Sequence, residues 1–392
     1  MKWPLVLLSL TALSCGALSP PKNDAGSGGG GGAVGGGPGG GGGAVGGGAG
    51  GGGTGGGLGG GAGGSGMGGG LGGGAGGGTG GGGARPPRQF SSVVVSTVTS
   101  PVGAVKGFAE KDGAVWAVTQ RGQVLKSTGA EFVEQTRLSG GSSIWVQDFS
   151  ATPDGTLLVL TTVQLLVCSA SCEQATSWTL HDINQASEVL ESVCGNSATD
   201  VIAVGSRGSF STGIAYKWNG STFTKVSNDV GMDLPRGCWR SPSGELTFGG
   251  VDAVLRYSGG GFTPTPMSLS VAGITQQRWR CGGVIGSDEV LAGPNRRIAH
   301  SAAGLLTLRY DDAPAGELNA MAVVDASEAW VVGGRPNGSA PNAWVFDGQQ
   351  WTERQPRLPL YVAHAAAVLD GGVVYVGGED DSAAPIILRG VR

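Results

Sequence analysis

A short apolar run recurs along the chain at a nearly constant interval, and this repeat constrains the fold more than any other sequence feature. The runs are AVWAVT, TLLVLT, DVIAVG, ELTFG, EVLAG, EAWVVG and VVYVG, which end at Thr119, Thr161, Gly205, Gly249, Gly293, Gly333 and Gly377. Successive ends lie 40 to 44 residues apart. A period of this length indicates a repeat architecture in which every unit is one supersecondary element.

Each unit reads as a set of short strands joined by tight turns. A turn such as VCGNSATD precedes the run, and at least four units continue with a strand, a turn and an aromatic residue, as in YKWNGSTF, LRYSGGGF and WVFDGQQW. Such runs, divided by Gly, Asn, Asp and Ser, are typical of antiparallel strands. The pattern predicts an all-β fold, a seven-bladed β-propeller of four-stranded antiparallel blades. A β-solenoid is the alternative.

The two ends of the repeat region predict how the ring closes. After VVYVGG and the loop EDDSAAP, the last unit continues only with IILRGVR and is one strand short. The segment QFSSVVVSTV, residues 89–98, precedes the first unit and belongs to none. We predict that this N-terminal strand completes the last blade, because closure leaves no bare sheet edge.

The units ending VVGG, YVGG and FGG, each with an aromatic, then Gly, then an aromatic, resemble kelch repeats. They are also similar to the VWAVG…WDG…W propellers of bacterial lipoproteins. The resemblance covers most of residues 90–392, but only three units keep the glycine pair, and the Tyr-to-Trp spacing is shorter than in kelch. The resemblance implies a propeller and says little about function, because propellers host unrelated activities.

The N-terminus has the layout of a secretory signal, with Lys2 followed by an apolar run from Leu5 to Leu13. Its end, TALSC, resembles the lipobox of bacterial lipoproteins, which implies a signal peptide over residues 1–14 and lipid attachment at Cys15. Ala12 departs from the usual Leu. Gly16 after the cysteine resembles lipoproteins sent to the outer membrane. A plain secretory signal with an incidental cysteine is the alternative.

A glycine-rich segment follows, and residues 15–88 are predicted to form a linker before the propeller domain of residues 89–392. From residue 25 to 84 the chain is glycine interrupted by single Ala, Thr, Leu, Val, Ser, Met or Pro, without a charge. Such a segment has almost nothing to bury, so it is predicted to be a disordered tether. Glycine-driven self-association is the alternative.

The cysteines of the repeat region fall into two groups. Cys168 and Cys172 lie on a predicted hairpin turn, and export to an oxidising compartment favours a local disulfide. Cys194, Cys238 and Cys281 lie eleven or twelve residues before the ends of their runs, which indicates one shared repeat position. Buried packing is the first interpretation, an inter-blade disulfide between two of them the second, and a zinc site the third.

No sequence motif points to a cofactor or to catalysis. The three histidines are scattered without HxH or HExxH spacing, so no metal site is predicted. The acidic loops Asp311–Asp312 and Glu379–Asp381 are interpreted as solvated turns, with calcium as the alternative. The net charge of −4 without a basic block argues against nucleic acid.

Charged residues recur just after the repeat marks, in the predicted turn between the second and third strands. Two residues beyond each mark lie Arg121, Arg207, Arg335 and Glu379, and in the fifth unit Arg296 follows Asn295 in that slot. These turns lie on one face of a propeller, and guanidinium groups there suit carboxylate- or phosphate-bearing partners. The alternative is that the arginines pair with acids of the chain or point into water.

The sequence thus predicts a non-catalytic, lipid-anchored, monomeric propeller that presents a binding face to a protein or an acidic glycan. The expected location is the bacterial outer membrane, and no cofactor is predicted. The alternatives are a scaffolding lipoprotein of an envelope complex and, third, a glycan-active enzyme.

Overall fold

The structure is a computed structural model, and it describes ten segments of the chain. These are residues 86–96, 103–138, 144–183, 187–208, 212–267, 277–302, 305–310, 316–334, 342–354 and 358–392. The predicted signal peptide, Cys15, the glycine-rich segment, Asp311–Asp312 and Arg335 lie outside the described residues. For Arg296 only the backbone is described.

The described residues form short strands and two three-residue 3₁₀ helices, Ala175–Ser177 and Pro294–Arg296. The first strands along the chain are β1 (Gln89–Ser96), β2 (Val105–Lys111), β3 (Ala114–Thr119), β4 (Gln123–Ser127), β5 (Glu131–Arg137), β6 (Val146–Ala151), β7 (Leu157–Thr161), β8 (Gln164–Cys168), β9 (Thr179–Asp182), β10 (Glu188–Ser197), β11 (Asp200–Arg207), β12 (Thr212–Trp218), β13 (Phe223–Ser227) and β14 (Arg236–Arg240). They continue with β15 (Leu246–Gly249), β16 (Ala253–Ser258), β17 (Gly261–Pro266), β18 (Cys281–Ile285), β19 (Asp288–Gly293), β20 (Arg297–Ala302), β21 (Leu305–Tyr310), β22 (Glu317–Asp325), β23 (Glu328–Gly334), β24 (Ala343–Phe346), β25 (Trp351–Glu353), β26 (Val362–Leu369), β27 (Val373–Glu379) and β28 (Pro385–Val391).

The strands pair as successive antiparallel meanders, which confirms the four-stranded unit predicted from the repeat. Four separate sheets run in the orders β6 to β9, β10 to β13, β14 to β17 and β18 to β21. The remaining strands belong to one larger sheet that contains β2 to β5, β22 to β25 and β26 to β28. The apolar runs of the repeat are the second strands, and EAWVVGG is β23.

The N-terminal strand β1 joins the two ends of the described chain. Residues Gln89 to Val93 pair antiparallel with β28, Gln89 facing Val391. Residues Val94 to Ser96 then pair in parallel with the start of β5. One strand therefore bonds both the last meander and the first.

A β-bulge interrupts the first strand of most meanders near its start. The register against the second strand shifts around a single residue in β2, β6, β10, β14, β22 and β26. The bulged residues are Lys106, Gln147, Glu191, Gly237, Asn319 and His364. A bulge breaks the alternation of side chains and redirects the extra residue away from the sheet ladder.

Close approach of the first strand explains two of the glycines that end the apolar runs. At Gly333, a Cβ atom would meet the carbonyl oxygen of Glu317 far inside van der Waals contact, and at Gly205 it would meet that of Val189. The backbone of the first strand passes too close for any side chain at these positions. The VVGG motif thus has a steric cause.

We expect Gly333→Ala to lower the free energy of unfolding by about 2 kcal/mol, because the new methyl group overpacks a backbone contact. Gly371→Ala is an unsuitable control because of its positive φ, whereas Gly261 has negative φ and ample space around its Cβ. Gly261→Ala should therefore be nearly neutral in denaturant unfolding. Equal losses for both variants would contradict this explanation.

Hydrophobic side chains pack between neighbouring meanders. Trp116 on β3 shares one buried cluster with Phe149 on β6 and Leu166 on β8. Similar clusters lie between the other successive meanders, and Phe132 of the first meander packs with Tyr375 of the last. The first strands of successive meanders contact each other, and β26 contacts β2.

Among the described residues there are two disulfides, one local and one between meanders. Cys168 and Cys172 are bonded across a short turn, with their Cα atoms 5.8 Å apart. Cys194 on β10 is bonded to Cys238 on β14, with a Cα–Cα distance of 6.2 Å. Cys281 is a buried thiol, and burial raises its pKa to about 12.

The second interpretation of the three cysteines, a disulfide between two of them, describes Cys194 and Cys238, which also pack, partly buried, against a hydrophobic cluster. The first interpretation, buried packing, describes Cys281. The prediction that Cys194, Cys238 and Cys281 share one repeat position is wrong. Cys238 and Cys281 face the residue just before the end of the second strand, whereas Cys194 faces Ile202, three residues before Gly205. The bulges and turns of unequal length shift the first strands relative to the marks from which the spacing was counted.

Candidate functional site

The predicted arginine positions lie at the ends of second strands, but the described arginines already contact the chain itself. The guanidinium of Arg121, in the turn after β3, lies over the ring of Trp145 at 4.7 Å from its centroid. Arg207 ends β11 and forms an ion pair of 3.0 Å with Glu188, and its Nη2 also donates to Asn228 Oδ1 at 2.8 Å. The Arg207 side chain is still 43% exposed, so that part of this cation remains accessible to a partner.

Glu188 is the buried carboxylate that pairs with Arg207. It also accepts hydrogen bonds from Lys225 Nζ and from the Tyr216 hydroxyl at 2.5 Å. Burial raises the pKa of Glu188, but the bonds from Lys225, Tyr216 and Arg207 outweigh it, so that its pKa is lowered. Burial, then the Glu188 carboxylate, raises the pKa of Tyr216 beyond its usual range.

Glu379, the acidic member of the predicted face, points to a second group of charges. It ends β27, and its Oε1 lies 3.8 Å from Nε2 of His364, the bulged residue of β26. The bulged residues Lys106 and Glu191 belong to the same region, as do two arginines at the starts of other first strands. We call this group the inner cluster, and its members are Lys106, Glu191, Arg236, Arg280, His364 and Glu379.

Direct contacts tie the arginines of the inner cluster to groups on neighbouring first strands. Arg236 Nη2 donates to Glu191 Oε1 at 3.1 Å, joining β14 to β10. Arg280, just before β18, bonds Glu317 and also donates to Asn319 Oδ1 at 3.4 Å, both on β22. Asn319 Nδ2 in turn donates to the Ala363 carbonyl at 3.0 Å, on β26.

Electrostatic interactions connect groups that do not touch. Burial raises the pKa of Glu191, although the charges of Arg236, Arg280 and Lys106 oppose it. Burial also lowers the pKa of His364, and the charges of Lys106 and Arg280 lower it further. Cations of three meanders thus act on Glu191, and two of them, Lys106 and Arg280, act on His364 as well.

The negative charge of Glu379 offsets the positive charges of these cations. The hydrogen bond with His364 lowers the pKa of Glu379, and the charges of His364 and Lys106 lower it further against the effect of burial. The inner cluster thus combines three basic side chains, two carboxyl groups and an imidazole whose pKa is lowered, and Arg280 pairs in addition with Glu317 next to it.

The sequence contains a signal for the bulged residues that the repeat marks did not reveal. Four of the bulged residues stand in triplets of an apolar, a polar and a small residue at the start of the first strand. These triplets are VKG, LES, LNA and AHA at residues 105–107, 190–192, 318–320 and 363–365. In the described part of the chain, no three His, Cys, Asp or Glu side chains form a group that could hold a metal ion.

Comparisons with known proteins decide the fold class. No protein family matches the chain, and no curated protein sequence matches it either. Among solved structures, it is similar to YCF48 bound to D1 peptide, with a TM-score of 0.56 and 15% identity over 79% of this chain and 96% of that one. The β-propeller domain of Cps50 (Swd1) from Myceliophteria thermophila is similar with a TM-score of 0.54 and 10% identity, over 78% of this chain and all of that one. The fold is a β-propeller.

A third similar structure is a catalytically inactive virginiamycin B lyase from Staphylococcus aureus with quinupristin. Its TM-score is 0.59 and its identity 10%, over 78% of this propeller and 100% of the lyase chain. Identities this low show the fold and carry no residue roles. No helix in the described part of the propeller is long and apolar enough to cross a membrane.

Proposed function

We propose that the propeller has seven blades and that β1 closes the ring as the outermost strand of the last blade. The pairing of β1 with β28 supports this arrangement, as do the seven repeat marks. The contact between β26 and β2 supports it independently, because the first strands of the last and first units then lie side by side. In such a ring the inner cluster lines the central channel at one end.

We further propose that this is a non-catalytic binding propeller, which recognises a protein or an acidic glycan at that end. The ion pairs of Arg236 with Glu191 and of Arg280 with Glu317 carry this proposal, because they bring recessed charges of several meanders to one end. Lys106 of the first meander interacts electrostatically with Glu191 as well. Recessed charged groups concentrated at one end of a propeller are candidates for a recognition surface.

We propose that the chain is displayed on a bacterial outer membrane as a monomer. The support is sequence alone: the signal-like residues 1–14, the lipobox resemblance at Cys15 and the glycine-rich segment. Two or more acyl chains would hold a protein firmly at a bilayer, whereas one gives only marginal binding.

The binding proposal is tested with the full chain, purified in detergent, against a panel of peptides and acidic oligosaccharides. We expect at least one class to bind, and the double variant Lys106→Gln/Arg280→Gln to bind about tenfold more weakly or less, since each cation near a ligand charge contributes on this scale. Lys126→Gln is the matched control, because Lys126 pairs with Glu173 on a more exposed surface.

Binding that both variants leave unchanged would place the recognition surface away from the inner cluster. A folded chain that binds no member of the panel would contradict the proposed function. Calorimetry provides the affinities, and circular dichroism verifies that each variant retains its strands.

A further inference from the structure

We propose that Arg121 and Trp145 form a binding site for a uronate, a sugar residue that bears a carboxylate, within an acidic glycan. The inference rests on the proposed function and specifies one ligand class and the residues that recognise it. It follows from the stacking of these two side chains, from their unused hydrogen-bond donors and from the charges of the adjoining segments.

The two side chains lie at the end of the propeller that also holds the inner cluster. Arg121 follows Gln120 in the turn after β3, and Gln120 joins this turn to two first strands. Its N–H donates to the Ala104 carbonyl at 2.7 Å, just before β2, and its carbonyl accepts from Val146 N at 2.9 Å, at the start of β6. Lys106 of the inner cluster lies two residues beyond Ala104.

Stacking holds the Arg121 side chain in place before any ligand arrives. Its guanidinium lies 4.7 Å from the centroid of the Trp145 ring, and a Cβ atom at Gly103 would lie 3.6 Å from Arg121 Cγ. A planar guanidinium that stacks on an aromatic ring keeps its N–H donors at its edge, in the geometry that matches a carboxylate. Such preorganisation lowers the entropy lost on binding.

The hydrogen-bond donors of both side chains are unused in the described part of the chain. Every described tryptophan except Trp145 is buried. Trp178 and Trp351 donate their indole N–H groups to acceptors of the chain, whereas Trp145 has no such acceptor among the described residues. Arg121 likewise forms no hydrogen bond and no ion pair with them. A charged fork and a neighbouring N–H thus remain for a ligand rich in oxygen acceptors.

The three segments that adjoin the stack carry basic residues and no acidic ones. These segments are residues 103–107, 119–123 and 137–147. Their charged residues are Lys106, Arg121 and Arg137, and residues 97–102, which lie outside the described part of the chain, contain no charged residue. Asp148 comes next in the sequence, and its Oδ2 accepts two hydrogen bonds from β10. The carboxylate of a ligand would supply the negative charge that these segments lack.

The polar character of this surface favours a sugar over a protein partner. The buried centre of a protein interface is largely apolar. Among the described residues, the exposed large apolar side chains are Val94, Val163, Val226 and Val391. None of them lies in the three segments. Half-buried amides lie there instead, Gln120 beside Arg121 and Gln147 two residues after Trp145. An amide both donates and accepts hydrogen bonds, as a sugar hydroxyl does.

The test measures binding to the full chain in detergent by calorimetry. The probes are a short oligogalacturonate, the same oligosaccharide as its methyl ester, and an acidic peptide of Asp and Glu. We expect the oligogalacturonate to bind and the ester to bind about tenfold more weakly, because the ester lacks the charge that faces Arg121. The acidic peptide should bind more weakly than the oligogalacturonate.

Arg121→Gln should weaken oligogalacturonate binding about tenfold and make the acid and its ester bind nearly equally. Arg121→Lys should recover only part of the loss, since it keeps the charge without the planar fork. Trp145→Leu should also weaken binding, because it removes both the stacking surface and the N–H donor. Arg240→Gln is the matched control and should change nothing. Arg240 is an exposed arginine at the opposite end of a first strand, where it donates to the Gly244 carbonyl at 3.1 Å.

Oligogalacturonate binding that is indifferent to esterification and to Arg121→Gln would overturn this inference and leave the proposed function standing. Tighter binding of the acidic peptide than of the oligogalacturonate would overturn the assignment to a glycan. Binding of panel peptides alone would do the same. Absence of binding by every probe and by the whole peptide and glycan panel would overturn both proposals. Circular dichroism verifies that each variant is folded.

Discussion

Glu328→Gln is expected to lower the free energy of unfolding by about 3–5 kcal/mol, the usual loss when one partner of a buried ion pair is removed. Glu328 begins β23 and is buried, and Arg88 donates to both of its carboxylate oxygens, with Nη2 at 3.2 Å from Oε2. Arg392 also bonds this carboxylate, and Trp330 Nε1 donates to it at 2.7 Å. The substitution removes the charge that compensates two arginines while it preserves the size of the side chain.

Denaturant unfolding of the full chain measures this loss. Glu173→Gln is the matched control, because Glu173 pairs with Lys126 at a more exposed position and such pairs contribute about 0–1 kcal/mol. Removing the buried cation first should shrink the effect, so Glu328→Gln should cost less in an Arg88→Met background. Equal losses for Glu328→Gln and Glu173→Gln would show that the buried pair does not hold Arg88 and Arg392 against β23.

Replacement of Cys194 and Cys238 together by alanine is expected to lower the free energy of unfolding by about 4 kcal/mol. The bond closes a loop with a sequence separation of 44 residues, and a crosslink restricts the unfolded chain more when its loop is longer. It also ties the first strand of one meander to the first strand of the next, beside the contact of Arg236 with Glu191.

The local disulfide is the matched comparison. Cys168 and Cys172 are only four residues apart, so their joint replacement by alanine should cost about 2 kcal/mol. Thermal unfolding under oxidising conditions measures both losses. A larger loss for the local bond would contradict the loop-length account and indicate that the turn at Cys168 is needed for packing around Trp178.

Sequence periodicity predicted the strands well because the same hydrophobic pattern and the same kinds of turn residue recur in every unit. The apolar runs are buried second strands, as for AVWAVT and EAWVVGG, and the turns between them contain Gly, Asn or Asp. Hydrophobic pattern and turn residues act locally, so they can be read without knowing the fold. The short final unit likewise predicted that QFSSVVVS would find its partner at the other end of the repeats.

The inner cluster was harder to predict because its geometry is set between units. The number of residues between the bulged residue and the end of the apolar run differs between units, as for Gly237 before Gly249 and Glu191 before Gly205. Counting back a fixed number of residues from the end of each run therefore does not find the bulged residue. Charge pairing across meanders, as between Arg280 and Glu317, depends on which strands become neighbours. The arginines after the marks were visible in the sequence, but their partners Trp145 and Glu188 were not.

The pairing of β1 with both β28 and β5 also affects the order in which the chain can fold. A chain made from its N-terminus produces Gln89 long before Val391, and the two face each other only in the finished sheet. Contacts this distant in sequence form slowly, since the loop between them must close first. Residues Gln89 to Val93 lack their β28 partner while the intervening meanders are made, although Val94 to Ser96 can already pair with β5. An unpaired strand edge is prone to wrong pairing. The sheet that contains β1 is therefore complete only once β28 has been synthesised and has paired with Gln89 to Val93.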